Sequence, residues 1–183
     1  PTGEVDAAIA AITHATVTRY MFTSGSTGMP KGVLQTHGMH LSFLGAMRAF
    51  DDAPPGAEEV RVLDWMPWSH TGAGVMRINS ILFEAGSVYL DDGRPVPGQF
   101  DETIRNLPEV KPTSYSGSPL GWSVLMDALE ADPALATVFF ANVTSFAFGS
   151  AAMPSSLAAR IQRLAVHHTG ESVLLTTSLL STE

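Results

Sequence analysis

The sequence predicts an α/β fold of alternating strands and helices around a largely parallel sheet. Short runs rich in β-branched and aromatic residues alternate with helical patterns of about ten to fifteen residues, the rhythm of strand-helix-strand units. Hydrophobic residues fill 45 % of the 183 positions, enough for a packed core. Turn formers gather between the runs, as in Asp51-Asp52-Ala53-Pro54-Pro55-Gly56 and Asp91-Asp92-Gly93.

Each element has its own signal. Val5 to Ala15 is alanine-rich and reads as a helix or lead-in, and Val17 to Phe22 reads as a strand. A strand is expected again over Val33 to Thr36. From His37 to Phe50, the residues Met39, Phe43, Met47 and Phe50 recur at helical spacing. Arg61 to Met66 is a short strand. Gly72 to Glu84 is a helix closed near Gly86, and Ser87 to Leu90 is the strand after it. Phe100, Ile104 and Leu107 make a helix face, and Thr113 to Tyr115 is a short strand. Ser118-Pro119 caps and opens a helix with Trp122, Leu125, Met126 and Leu129 on one side. Val143 to Phe148 is a buried strand. Pro154 opens a helix with Leu157, Ile161, Leu164 and Ala165 inward and Gly170 as its stop, and Val173 to Thr176 is the last strand.

Charge and composition exclude several functions. The net charge is −8 and the lysines are two, Lys31 and Lys111. Nucleic acids and anionic membranes call for basic patches, which this balance does not supply. Without cysteine there is neither a disulfide nor a thiolate metal site. No apolar run reaches membrane-spanning length and no basic-then-apolar leader opens the chain, so a cytoplasmic protein without membrane insertion is expected.

The chemistry concentrates in Thr23-Ser24-Gly25-Ser26-Thr27-Gly28-Met29-Pro30-Lys31-Gly32. Four hydroxyls and two glycines between an apolar run and a lysine can turn N–H and O–H donors onto phosphate oxygens, and Lys31 adds a point charge. The common phosphate-loop NTPase motif would need a helix directly after the lysine. Here Pro30 precedes Lys31 and a strand-like run follows, so the loop is expected to join two strands. Three further segments stand out. His70 lies in Trp65-Met66-Pro67-Trp68-Ser69-His70-Thr71-Gly72-Ala73-Gly74, where a proline turn opens a glycine-loosened helix and a histidine beside tryptophan is also a common packing residue. Gly149-Ser150-Ala151 are small residues between a strand and a helix, suited to close backbone approach or to a plain turn. Thr182-Glu183 end the chain after Leu179-Leu180-Ser181.

The ten-residue loop resembles, without a break, the phosphate loop of the AMP-forming acyl-activating enzymes: acyl-CoA synthetases, luciferases and peptide-synthetase adenylation domains. Trp68-Ser69-His70-Thr71 and Leu90-Asp91-Asp92-Gly93-Arg94-Pro95 resemble feruloyl-CoA synthase and related aromatic-acid CoA ligases within that superfamily. The resemblance implies acyl-AMP formation from ATP and a carboxylic acid, then thioester formation with CoA. It implies that Thr23, Ser24, Gly25, Ser26, Thr27, Gly28 and Lys31 hold the β- and γ-phosphates. It places His70 beside the acyl pocket and the path of the thiol, and Gly149, Ser150 and Ala151 along adenine and acyl group. Thr182 would contact the α-phosphate and Glu183 would hold Mg²⁺. Where the family has an aromatic residue and a glycine, this chain has Leu179 and Leu180, which keeps open a nucleotide-binding module without turnover. The family's ribose-binding aspartate, hinge and adenylation lysine follow the Thr-Glu motif. Residues 1–183 are therefore expected to be part of the large AMP-binding domain without the C-terminal lid, partnered by the rest of the parent enzyme and inactive or nearly so alone.

Overall fold

A computed structural model describes residues 2–23, 29–49 and 59–177. The chain divides into two compact units, the described residues of the first being 2–23, 29–49 and 67–83 and those of the second 59–66 and 84–177.

The first unit opens with α1 (Gly3–Ala10), which is shorter than the expected helix and buries no residue. Strands β1 (Val17–Thr23) and β2 (Lys31–Thr36) form an antiparallel pair, so the loop does join two strands. Tyr20 lies opposite Leu34 and Thr23 opposite Lys31 in the register. Helix α2 (His37–Arg48) starts directly after β2, with the Thr36 hydroxyl accepting from Met39 N at 3.3 Å. That cap fixes the helix phase. The buried positions become His40 and Leu44, not the expected stripe, whose Met39 and Met47 are exposed. The helix predicted over 72–84 starts as a π-helix, Gly72–Arg77, and continues as α3 (Ile78–Phe83).

In the second unit every strand pairing is parallel. Strand β3 (Arg61–Asp64) pairs with β4 (Ser87–Leu90), and β5 (Ser114–Gly117), β6 (Ser145–Phe148) and β7 (Leu175–Thr177) lie side by side in that order. Thr113 N donates to Arg61 O at 2.9 Å, and Arg61 N donates to the Thr113 hydroxyl at 3.0 Å. These bonds join the starting ends of β3 and β5.

Helices pack on these two sheets. Helix α4 (Asp101–Val110) buries Thr103 and Leu107 and stops at Lys111, which takes a left-handed φ of 49°. Helix α5 (Pro119–Ala131) begins as its sequence requires: Ser118 Oγ accepts from Gly121 N, and Pro119 occupies the first turn. Trp122, Leu125, Met126 and Leu129 are at most 1 % exposed. Helix α6 (Pro133–Asn142), unforeseen in the periodicity, is capped by Asp132 and brings Phe139 and Phe140 inward. Tyr115, Trp122, Phe139 and Phe146 then meet mostly edge to face. Helix α7 (Ser155–Thr169) buries Leu157, Ile161 and Ala165 and ends at Gly170, φ 81°. On its outer side Arg160 bridges Asp127 and Glu130 of α5. Among the described residues no helix is long and apolar enough to cross a membrane.

Candidate functional site

The expected site residues fall in both units. Thr23 and Lys31 close the described part of the β1–β2 hairpin and face each other across the ladder. Ser24, Gly25, Ser26, Thr27 and Gly28 lie outside the described residues. Strand β2 begins at Lys31 itself, so no helix follows the lysine and the phosphate-loop NTPase reading is removed.

The two faces of β1 have opposite character. Tyr20 and Phe22 are exposed, whereas Met21 is buried and Arg19 half-buried. The inward pair reaches the turn that carries His70: Arg19 Nη1 donates to Gly74 O at 2.6 Å, and Thr71 Oγ1 donates to Met21 Sδ at 3.5 Å.

That turn is closely determined. His70 N donates to Pro67 O at 3.0 Å, and Gly74 N donates to His70 O at 2.8 Å. A Cβ on Gly74 would stand 1.8 Å from Trp68 O, so only glycine lets the π-helix lie against this backbone. His70 is exposed, and its Nδ1 accepts from Gly72 N at 3.1 Å. A backbone N–H pointing at Nδ1 selects the tautomer with its proton on Nε2, which makes the outer nitrogen a donor.

Behind the hairpin His40 is buried, its Nε2 3.3 Å from Gln35 Oε1. Burial, then the Arg19 guanidinium and then His37, push the His40 pKa below the ordinary value. Neutral His40 leaves Arg19 as the cation of this cluster, with the Gly74 carbonyl dipole to receive it. Sequence reasoning missed Arg19, Gln35 and His40. Only the period-2 placement of Arg19 with Met21 signals an inward arginine.

In the second unit Gly149-Ser150-Ala151 follow β6 at the carboxyl edge of the three-stranded sheet. In parallel α/β sheets ligands gather outside this edge. Gly149 N extends the ladder to Gly117 O at 3.2 Å, and among the described residues beyond its chain neighbours no atom lies within 4 Å of where a Gly149 Cβ would be. Ser150 takes a left-handed φ of 70°, a conformation costing about 1 kcal/mol for a residue with a Cβ. Trp122 Nε1 donates to Ala147 O at 2.9 Å and so anchors the strand that presents these residues. Strand β7 ends at Thr177 on the same edge; Leu179, Leu180, Thr182 and Glu183 lie outside the described residues. Among the described residues no group of three or more His, Asp or Glu is placed to hold a metal ion.

The family model for the AMP-binding enzyme matches residues 6–172. The long-chain-fatty-acid–CoA ligase ACSBG2 of Gallus gallus is 27 % identical over 130 residues, covering 70 % of this chain and 17 % of that protein. ACSBG1 of Rattus norvegicus is 29 % identical over 111 residues, 60 % of this chain and 15 % of its own. The chain thus spans about a sixth of the length of these curated relatives. Among solved structures, a malonyl-CoA ligase in a ternary product complex with methylmalonyl-CoA and AMP superposes with TM-score 0.68 at 22 % identity, covering 92 % of this chain and 34 % of that one. McyG A-PCP, complexed with phenylalanyl-adenylate, gives TM-score 0.73 at 19 % identity, covering 94 % of this chain and 30 % of its own. At these identities the structural likeness shows the fold.

Proposed function

Because the chain belongs to the AMP-binding enzyme family, we propose that it is part of the large domain of a ligase that activates a carboxylic acid with ATP and passes the acyl group to CoA. The carboxylate oxygen attacks the α-phosphorus of ATP and pyrophosphate leaves, giving acyl-AMP. The CoA sulfur then attacks the acyl carbon, the thiol proton is lost and AMP departs. Neither step forms a bond to the enzyme, so the protein contributes position and charge.

In this reading Thr23, Lys31 and the residues between them hold the β- and γ-phosphates, and Gly149, Ser150 and Ala151 flank adenine and acyl group. His70 donates from Nε2 at the acyl pocket. Thr182 at the α-phosphate and Glu183 as the Mg²⁺ ligand belong to the same proposal, as does a cytoplasmic location. The relatives bound to AMP and to an acyl-adenylate support the nucleotide assignment. The observation that carries it is the hairpin, a strand entering at Thr23 and a strand leaving at Lys31.

Lys31→Ala in the intact ligase tests it. Acid-dependent pyrophosphate exchange is expected to fall by about a hundredfold or more, the loss of one preorganised charge partner. Unchanged ATP affinity and turnover would end the reading. We further propose an aromatic, feruloyl-like acid, supported by exposed Trp68 beside His70. A panel setting ferulate-type acids against long-chain fatty acids, the class named for the avian and rodent relatives, decides it by which gives acyl-AMP. ATP binding with no acyl-AMP from any acid would favour the module without turnover.

A further inference from the structure

Two contacts tie the inward face of β1 to the turn bearing His70, and they join elements far apart in sequence. Arg19 and Met21 are separated by one residue, so both point the same way from the strand. Thr71, which caps the π-helical segment, and Gly74 within it, the residues they meet, lie three positions apart. The Arg19 bond, at 2.6 Å, is short and charge-assisted, and the arginine is half-buried, so water competes for it weakly. Gly74 cannot retreat on its other side, where the Trp68 backbone leaves no room even for a methyl group. The π-helix supplies the third constraint, since such turns recur where a fold sets a functional group.

We propose that Arg19 is a positioning residue. Its guanidinium clamps the Gly74 carbonyl, so that the Nε2–H of His70 keeps a set place relative to Thr23 and Lys31 at the hairpin end. The inference rests on the acyl-activating reading and adds to it a specific coupling: the strand that feeds the phosphate loop also holds the acyl-side histidine. In this proposal Arg19 acts through the Gly74 carbonyl and contacts neither nucleotide nor acid. Its loss therefore registers on the acid, not on ATP.

The test uses the intact ligase carrying Arg19→Met, Arg19→Lys or Lys31→Ala. For Arg19→Met, kcat/KM for the acid in acyl-AMP formation should fall about tenfold or more, as expected for a misplaced contact, while KM for ATP stays within about twofold. Arg19→Lys, which keeps a cationic donor, should recover most of the loss. Hydrogen exchange read on the same proteins should quicken at amides 70–77 in Arg19→Met and stay unchanged in the β1–β2 ladder. Acid kinetics unaltered by Arg19→Met, a parallel rise in KM for ATP, or no recovery with lysine would each overturn the clamp. Lys31→Ala separates the two ideas: normal ATP use there removes the nucleotide reading, whereas exchange at 70–77 still reports on Arg19.

Discussion

The two units place similar side chains in opposite circumstances. In the second, Trp122, Phe139 and Phe146 sit at most 2 % exposed within one aromatic cluster. In the first, Tyr20 and Phe22 are 67 % and 73 % exposed, and Leu34, opposite Tyr20, is 54 % exposed. The first unit buries no Phe, Tyr or Trp side chain among its described residues; its buried side chains are the aliphatic Met21, Leu44, Ala73, Val75 and Ile81 with the polar Gln35 and His40. The second unit is therefore held chiefly by area removed from water, and the first adds to a smaller apolar core specific bonds between backbone, arginine and glycine. The difference separates two kinds of fragility, one graded with volume and one set by single atoms.

Trp122→Ala strikes the graded kind. It should cost about 4 kcal/mol through the cavity and the loss of the partner of Ala147 O. Its imprint should be faster exchange in β5 and β6; exchange accelerated equally in β1 and β2 would break the comparison. Gly74→Ala strikes the other kind. Forcing a methyl carbon against the Trp68 carbonyl should cost about 3 kcal/mol, read as a lowered denaturant midpoint with faster exchange over 67–77. Tolerance of alanine there would show that the first unit yields where it is described as fixed.

Ser118→Ala removes one cap and should cost about 1 kcal/mol, sharpening the estimate of how much α5 depends on its start rather than its buried face. The smallest effect is with pH. His40 and His168 titrate below the ordinary histidine value in the folded protein, each chiefly through burial. As pH falls through the ordinary value of 6.5, the unfolded chain takes up protons first. Stability is thus complete above that value and declines below it, down to the folded pKa values. Replacing His40 with Gln should flatten the slope of denaturation free energy between pH 7 and 5, about where an ordinary histidine titrates. An unchanged slope would show that the burial of His40 does not govern its proton.

Legibility followed the same division. The second unit was readable because its signals are periodic: the Ser118 cap, the four inward residues of α5 and the Gly170 stop all stand where the pattern put them. Helix α6 escaped because it is apolar on every side, although Asp132-Pro133 announced its start. In the first unit, the hairpin was legible from Pro30 and the strand-like run after Lys31. The inward face of α2 was not, because the Thr36 cap and the Gln35–His40 contact set its phase. Nor was the π-helix, whose width depends on Gly74 meeting a backbone oxygen six residues earlier. His70 was singled out by its neighbours, whereas its tautomer depends on an N–H two residues on, which only coordinates disclose.

The wide turn has a consequence for how this protein tolerates change in length. A π-helical stretch is an ordinary helix carrying one surplus residue. Excising a single residue between Gly72 and Arg77 would let regular winding resume with little net rotation of what lies ahead of the cut, because the wider turn already absorbs the surplus residue. The carbonyl that receives Arg19 would then stand out of place, with Arg19 and His70 both still present. Counting, as much as chemistry, sets that bond.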